Sequence, residues 1–177
     1  MKLDNKSYQD ELLREYLEYL ENIKGYSKYT IISYKTDIQK YFEYLNKNKL
    51  NYYDIEKYIQ NLSKNKYAKT TINRKIVSIT NFFKWCKNKK KLNIKDIKTI
   101  KNMKTERKLP TILTSNYINK LLDTIPTSTT KEVRDRSIIE ILYSSGLRVS
   151  EITNLKINDV KQNKSIKVLG KGNKVRI

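Results

Sequence analysis

In the first half of the chain, apolar residues recur every three or four positions, which is the spacing of one face of an α-helix. Four such stripes are separated by short polar segments, and Ser27 is a predicted N-cap for the second helix. The stripes are Leu12, Leu13, Tyr16, Leu17, Leu20 and Ile23; Ile31, Tyr34, Ile38, Tyr41, Phe42 and Leu45; Ile55, Tyr58, Ile59 and Leu62; and Ile72, Ile76, Ile79, Phe82 and Phe83. The pattern predicts four amphipathic helices packed as a small bundle, with the aromatic residues in its core.

The helical pattern restarts after Pro110. Thr114 is a predicted N-cap for a helix that carries Ile118, Leu121 and Leu122. A longer helix is predicted to run from about Lys131 to Gly146, and a short one to cover residues 149–154. The residues that the longer helix is expected to bury are Val133, Ile138, Ile141 and Leu142.

The last residues change to a strand pattern. Residues 165–169 alternate in polarity, residues 170–173 have turn chemistry and residues 174–177 begin a return strand, which together predict a β-hairpin. Because a two-stranded ribbon is marginal alone and leaves an unpaired edge, we expect a domain that is truncated at residue 177.

Residues 87–109 (KNKKKLNIKDIKTIKNMKTERKL) separate the two halves. The segment is densely basic and loses clear periodicity, and Pro110 stops any helix. We therefore predict a helical domain at 1–92, a basic linker at 93–111 and a second domain at 112–177. The linker is expected to lie along a polyanion rather than to pack internally.

The charge is large and unevenly distributed. The 177 residues include 38 Lys and Arg against 18 Asp and Glu, for a formal net charge of +20. Lysine accounts for 31 of the cations, which is typical of an AT-rich coding bias, but residues 1–23 hold 3 basic and 6 acidic residues whereas residues 24–109 hold 23 and 6. Uniform bias would not leave an acidic first segment, so the distribution favours a nucleic-acid-binding face.

The composition excludes several kinds of site. The chain has no His and one Cys, so Ser-His triads, His-ligated or Cys₄ zinc sites and a disulfide framework lack their side chains. No stretch approaches the roughly 20 apolar residues of a membrane span, and the N-terminus lacks the apolar core of a signal peptide. These features indicate a cytoplasmic protein without a membrane partner.

Four segments resemble motifs of the tyrosine recombinases, the phage-integrase family, and are most similar to its Xer-type members. Residues 134–152, with RDRS and LYSSGLRVSEI, resemble the first catalytic motif, and residues 168–174 (VLGKGNK) resemble the family's β-hairpin motif. Residues 24–30 (KGYSKYT) and 70–76 (TTINRKI) resemble parts of its core-binding domain. The resemblance implies a mainly α protein, in which a four-helix SAM-like core-binding domain precedes a truncated, mixed α+β catalytic domain ending in a β-hairpin.

The resemblance also implies a chemistry. Family members recombine DNA site-specifically, cutting and rejoining strands through a phosphotyrosyl intermediate without metal or another cofactor. Arg148 matches the first catalytic arginine, whose planar, permanently charged guanidinium suits phosphate oxygens. Lys171 matches the hairpin lysine proposed to protonate the leaving 5′ oxygen. Glu151, one turn after Arg148, either orients that guanidinium or faces solvent, and the sequence leaves both open.

The first domain is expected to supply affinity for double-stranded DNA. The side chains of two i,i+4 pairs are displaced from the apolar stripe of the fourth helix and are suited to phosphates or base edges. These pairs, with two further candidates on the second helix, are Lys69 and Asn73, Thr70 and Arg74, and Lys28 and Lys35. The resemblance implies further recombinase protomers as partners, in a tetramer on two DNA sites, with the linker crossing the DNA.

The family's nucleophilic tyrosine lies downstream of the hairpin motif, and none of the 14 tyrosines of this chain is assigned that role. We therefore expect the chain to bind DNA and not to cleave it. One alternative is a non-catalytic remnant or regulator that occupies recombination sites. Another is a general basic nucleic-acid-binding protein unrelated to recombination. The target sequence stays open, as does the choice between chromosome dimer resolution and mobile-element integration.

Overall fold

The structure, a computed structural model, describes residues 5–46, 49–89, 91–94, 97, 100–106, 109–161, 165–170 and 175–176. The chain divides into two compact units, an N-terminal unit of residues 1–108 and a C-terminal unit of residues 109–177.

The N-terminal unit contains the four predicted helices. They are α1 (Asn5–Asn22), α2 (Lys28–Leu45), α3 (Ile55–Lys64) and α4 (Lys69–Asn88), with a short 3₁₀ turn at Tyr52–Asp54 before α3. The Ser27 side chain accepts a hydrogen bond from the Thr30 amide, which confirms the predicted N-cap of α2. The chain is therefore mainly α, as the apolar spacing predicts.

Helix α4 is the centre of this bundle, since it packs against the other three helices. Phe82 and Phe83 have no exposed surface and form edge-on aromatic contacts with neighbours from α1, α2 and the 3₁₀ turn. Such offset geometry is the one that aromatic quadrupoles favour. One predicted core residue is wrong: Ile23 lies just beyond the end of α1 and is 72% exposed, because the helical periodicity no longer applies there.

The segment after α4 differs from the expected linker. Its described apolar residues pack against the core of the N-terminal unit; these are Leu92, Ile94, Ile97, Ile100 and Met103. Lys91 fastens its start, since its ammonium lies 2.9 Å from a Glu15 oxygen and its carbonyl accepts a hydrogen bond from the Tyr8 hydroxyl at 2.9 Å. From Ile94 to Met103 the apolar residues recur at every third position and pack inward, whereas the described Lys101 between them is exposed, so a basic segment need not lie free.

The C-terminal unit contains α5 (Ser115–Asp123), α6 (Thr130–Ser145), the one-turn helix α7 (Val149–Ile152), and strands β1 (Val168–Leu169) and β2 (Val175–Arg176). A 3₁₀ turn, Ile157–Asp159, lies between α7 and β1. Thr114 caps α5 through the Tyr117 amide, as predicted. The two strands pair antiparallel, with Val168 opposite Arg176, which confirms the predicted strand pairing, while residues 171–173 of the predicted turn lie outside the described residues.

The burial predicted for α6 is wrong. Val133 is 46% and Ile138 37% exposed, Ile141 and Leu142 are half-buried, and no residue of this helix is buried. The apolar spacing identifies a face, but burial requires a partner element, and the described part of this unit buries few apolar side chains. No helix in the described ranges is both long and apolar enough to cross a membrane.

Candidate functional site

Arg148 lies at a sharp turn between two helices. Gly146 ends α6 with a φ of 60°, a left-handed conformation that glycine adopts without steric cost. The next side chain, Leu147, is buried and anchors the turn. Arg148 then takes the N-cap position of α7 with an extended backbone, and its side chain is 63% exposed. The turn thus exposes a cationic side chain on a backbone that the buried Leu147 anchors.

Glu151 orients Arg148. One carboxylate oxygen of Glu151 accepts a hydrogen bond from the Arg148 backbone amide at 2.8 Å, and the other accepts one from Nη1 of the guanidinium at 2.9 Å. The Glu151 side chain is only 6% exposed, so the carboxylate of the pair is buried while the guanidinium reaches solvent. The sequence left two roles open for Glu151, and the structure supports the orienting one. A guanidinium has five N–H donors, so the pair leaves donors for a ligand.

The Arg148 turn and the hairpin line a common concave site of about 480 Å³. Its lining residues are Arg148, Ser150, Glu151, Asn154, Leu155, Asp159, Lys167, Val168 and Gly170. Lys171 lies outside the described residues, but the preceding Gly170 lines the site. Sequence reasoning missed Lys167, which becomes part of the site only because β1 lies next to α7. The site can hold an anion against the guanidinium, with Lys167 as a second cation.

The candidate DNA-binding residues lie on α2 and the first turns of α4. Lys28 and Lys35 are exposed on α2, and Lys69 and Thr70 are exposed at the start of α4. Helices α2 and α4 pack against each other, so these side chains belong to adjacent elements.

Asn73 has an internal partner. Its amide nitrogen donates to the Met103 carbonyl at 2.9 Å, and its amide oxygen accepts from the Met103 backbone amide at 2.8 Å. The side chain therefore links residues 100–106 to α4 by hydrogen bonds. The sequence does not predict this role, because the two residues are 30 positions apart.

Arg74 belongs to a polar cluster between α2 and α4. Nη1 of Arg74 donates to Oδ2 of Asp37, the Lys75 ammonium donates to Oδ1 at 3.1 Å and the Ser78 hydroxyl lies 3.0 Å from Oδ2. Asp37 is fully buried and the Lys75 side chain is 3% exposed, whereas the Arg74 side chain is 51% exposed. Asp37 and Arg74 are 37 residues apart in the chain, so no local spacing points to this partner set.

Several tyrosines are poor nucleophiles because they are buried. Burial is the main cause that raises the pKa of Tyr16, Tyr41 and Tyr52, and it raises the pKa of Tyr58 to about 12, with the Asp37 charge adding to it. These phenols stay protonated near neutral pH. Within the described ranges, no group of three or more His, Cys, Asp or Glu side chains is arranged to hold a metal ion.

Comparison with known proteins gives the same family at both ends of the chain. Residues 13–90 match the model of the phage integrase N-terminal SAM-like domain, and residues 111–177 match that of the phage integrase family. Tyrosine recombinase XerC of Staphylococcus epidermidis is 32% identical over 94% of this chain, and tyrosine recombinase XerD of Staphylococcus saprophyticus is 33% identical over 95%. The chain spans 58% and 59% of the length of these relatives.

A solved structure shares the fold. The XerH site-specific recombinase, bound to its difH substrate in a pre-cleavage complex, matches 93% of this chain and 52% of its own with a TM-score of 0.64 at 22% identity. With both family models matched in order and the Xer relatives aligned along nearly the whole chain, the protein belongs to the phage integrase family and is similar to the Xer tyrosine recombinases.

Proposed function

We propose that this chain binds duplex DNA as part of a site-specific recombination system, with Arg148 contacting the scissile phosphate. The observation that carries the proposal is the Arg148–Glu151 pair, in which a buried carboxylate holds a half-exposed guanidinium at the edge of a concave site. An arginine preorganised in this way stabilises charge that develops on phosphate oxygens during strand cleavage. The names of the relatives, tyrosine recombinases and a recombinase bound to DNA, support this choice of ligand.

The reaction proposed for the whole protein is transesterification. A tyrosine hydroxyl attacks the phosphorus and releases its proton to solvent, the bond to the 5′ oxygen breaks, and a proton from Lys171 neutralises that oxygen. Arg148 would hold the non-bridging oxygens, and no redox change or hydrolysis is involved. We infer that the nucleophile lies outside residues 1–177, because the family resemblance places it after the hairpin motif, whereas all 14 tyrosines of this chain precede residue 144.

Affinity would come mainly from the N-terminal unit. Residues 24–109 carry 23 of the 38 cations, and the exposed candidates Lys28, Lys35, Lys69 and Thr70 lie on two adjacent helices. Further protomers on two DNA sites would complete the assembly, and a DNA substrate would place the protein in the cytoplasm. Such binding weakens with salt, because each phosphate neutralised releases a counterion.

The test first selects duplex DNA that binds the 177-residue chain from a random library. The affinity for the selected, labelled duplex is then measured by fluorescence anisotropy. We expect an enriched sequence and a steep loss of affinity with salt. Arg148→Gln should weaken binding by roughly tenfold, the scale of a charge-assisted contact. Arg14→Gln is the matched control, since Arg14 is 64% exposed, is also paired with a carboxylate, that of Glu18, and lies outside the motifs assigned to catalysis or binding. Equal affinities for the two variants would contradict the role of Arg148.

Two further outcomes separate the alternatives. If a competitor of random sequence removes the binding as effectively as the enriched duplex does, the chain is a general basic nucleic-acid-binding protein. A nicked suicide duplex should form no covalent adduct with residues 1–177 on a denaturing gel. An adduct would overturn the placement of the nucleophile outside this segment.

A further inference from the structure

The buried Asp37 carboxylate is paired with two cations, although one cation would be enough to neutralise its charge. One buried carboxylate receives hydrogen bonds from two cations, Lys75 and Arg74. Lys75 is nearly as buried as Asp37, so these two side chains neutralise each other inside the bundle. Arg74 adds a second positive charge, which an internal ion pair between α2 and α4 does not need.

The exposure of Arg74 differs from that of its partners. Half of its side chain is in solvent, while the side chains of Asp37 and Lys75 are almost completely shielded. In the described part of the chain, Asp37 takes hydrogen bonds from Nη1 alone among the five N–H donors of the guanidinium. The other donors are therefore available to a ligand from the solvent side.

The carboxylate is itself held in place. Lys75 donates to Oδ1 and Arg74 donates to Oδ2, while the Ser78 hydroxyl lies 3.0 Å from Oδ2 and 3.1 Å from the Arg74 carbonyl, so Asp37 cannot rotate without breaking its hydrogen bonds to both cations. A rigid carboxylate fixes the position of a long, flexible arginine before a ligand arrives, and less conformational entropy is then lost on binding. Thr70, one turn earlier on α4, is exposed and lies on the same side of the helix.

We propose that Asp37 is a positioning residue that holds Arg74 ready to grip a phosphate of the duplex DNA backbone. The proposal rests on the DNA binding proposed above and adds a mechanism to it. The Arg74 guanidinium would bridge the buried carboxylate on one side and the phosphate on the other, as its planar fork allows. The arrangement is similar to that of Arg148 and Glu151, in which a buried carboxylate also holds an exposed guanidinium, but here the pair joins α2 and α4.

The experiment measures the anisotropy of labelled duplex DNA with the 177-residue chain over a range of salt concentrations. Arg74→Gln should weaken binding roughly tenfold and reduce the slope of log Kd against log salt by about 0.9, the value of one phosphate contact. Arg14→Gln is the matched control, because Arg14 is 64% exposed and paired with Glu18 on α1. It removes the same charge and should leave the slope unchanged.

A second comparison tests positioning rather than charge. Arg74→Lys keeps the charge, but an ammonium cannot bridge Asp37 and a phosphate through a planar fork, so affinity should still fall several-fold. Asp37→Asn should weaken binding in the unaltered chain and have no further effect in the Arg74→Gln background, which makes the two changes non-additive. A merely structural Asp37 would lower the melting temperature and leave the affinity of the folded protein unchanged.

The outcomes are separable. If Asp37→Asn does not fold, the comparison of Arg74→Lys with Arg74→Gln decides, and a lysine variant that binds like the unaltered chain overturns the positioning role. If Arg74→Gln behaves like Arg14→Gln while the unaltered chain binds duplex, this inference fails and the proposed function stands. If the unaltered chain does not bind duplex DNA, both fail.

Discussion

Single buried side chains in the bundle have shifted protonation equilibria. Cys86 is fully buried on α4, and burial, with the Glu15 charge adding to it, raises the pKa of its thiol to about 12. Tyr58 on α3 has its pKa raised to about 12, again mainly by burial. In both cases the neutral form is favoured in the folded state, so above the unfolded pKa the folded protein binds more protons than the unfolded chain.

Stability should therefore fall as the pH rises from about 8.5, where an unfolded cysteine begins to ionise, through about 10 for tyrosine and on toward 12. Urea unfolding midpoints measured across this range test the slope. Tyr58→Phe removes one ionising group and should reduce the loss of stability above about pH 9.5. The control is Tyr29→Phe, since Tyr29 is 84% exposed. If both variants lose stability as steeply as the unaltered chain, burial of Tyr58 does not control its ionisation.

Among the elements, the segment after α4 is joined to that helix by the side-chain amide of Asn73, in addition to the Lys91 contacts at its start. Asn73 donates to and accepts from the Met103 backbone, so two polar groups of that segment are satisfied by one side chain. Because the apolar residues around Met103 pack on the core, this anchor holds a basic segment against the N-terminal unit.

Asn73→Ala should free this segment. Two partly buried hydrogen bonds are lost, at a cost of about 1–3 kcal/mol in unfolding free energy, and trypsin should cut faster after the exposed Lys101 and Lys104. Limited proteolysis with mass spectrometry locates the cuts. Asn88→Ala, an exposed asparagine on the same helix, serves as control. Identical cleavage rates for the two variants would show that Asn73 does not hold the segment.

For the whole molecule, burial is unequal between the two units. The N-terminal unit contains a continuous core of aromatic and aliphatic side chains around α4. In the described part of the C-terminal unit, four apolar residues are buried, and they are Ile118, Leu122, Leu147 and Val168. Since burial of apolar surface is the main stabilising contribution, the two units should differ in local stability.

Hydrogen exchange should therefore be slow for amides of α4 and much faster for those of α6, which has no buried residue. Mass spectrometry of peptides from the 177-residue chain measures both. A polypeptide of residues 1–108 should keep the protection of α4, because the core lies inside that unit. Equal protection of α4 and α6 would contradict this difference.

The sequence by itself determined the helices of the bundle, the hairpin and the position of Arg148. Local spacing suffices for these features, because an apolar stripe of helical period, a Ser27 cap and a Gly146 terminus act over a few residues. The family motifs also lie in short segments, so their order along the chain could be read directly.

Only the tertiary structure decided what the polar residues contact. It assigned Asn73 to Met103, placed Arg74 on the buried Asp37 and chose the orienting role for Glu151. It also showed that the apolar residues of the basic segment pack on the core and that the apolar face of α6 stays partly exposed. Hydrogen-bond partners and burial depend on residues that are distant in the chain, and no local pattern contains that information.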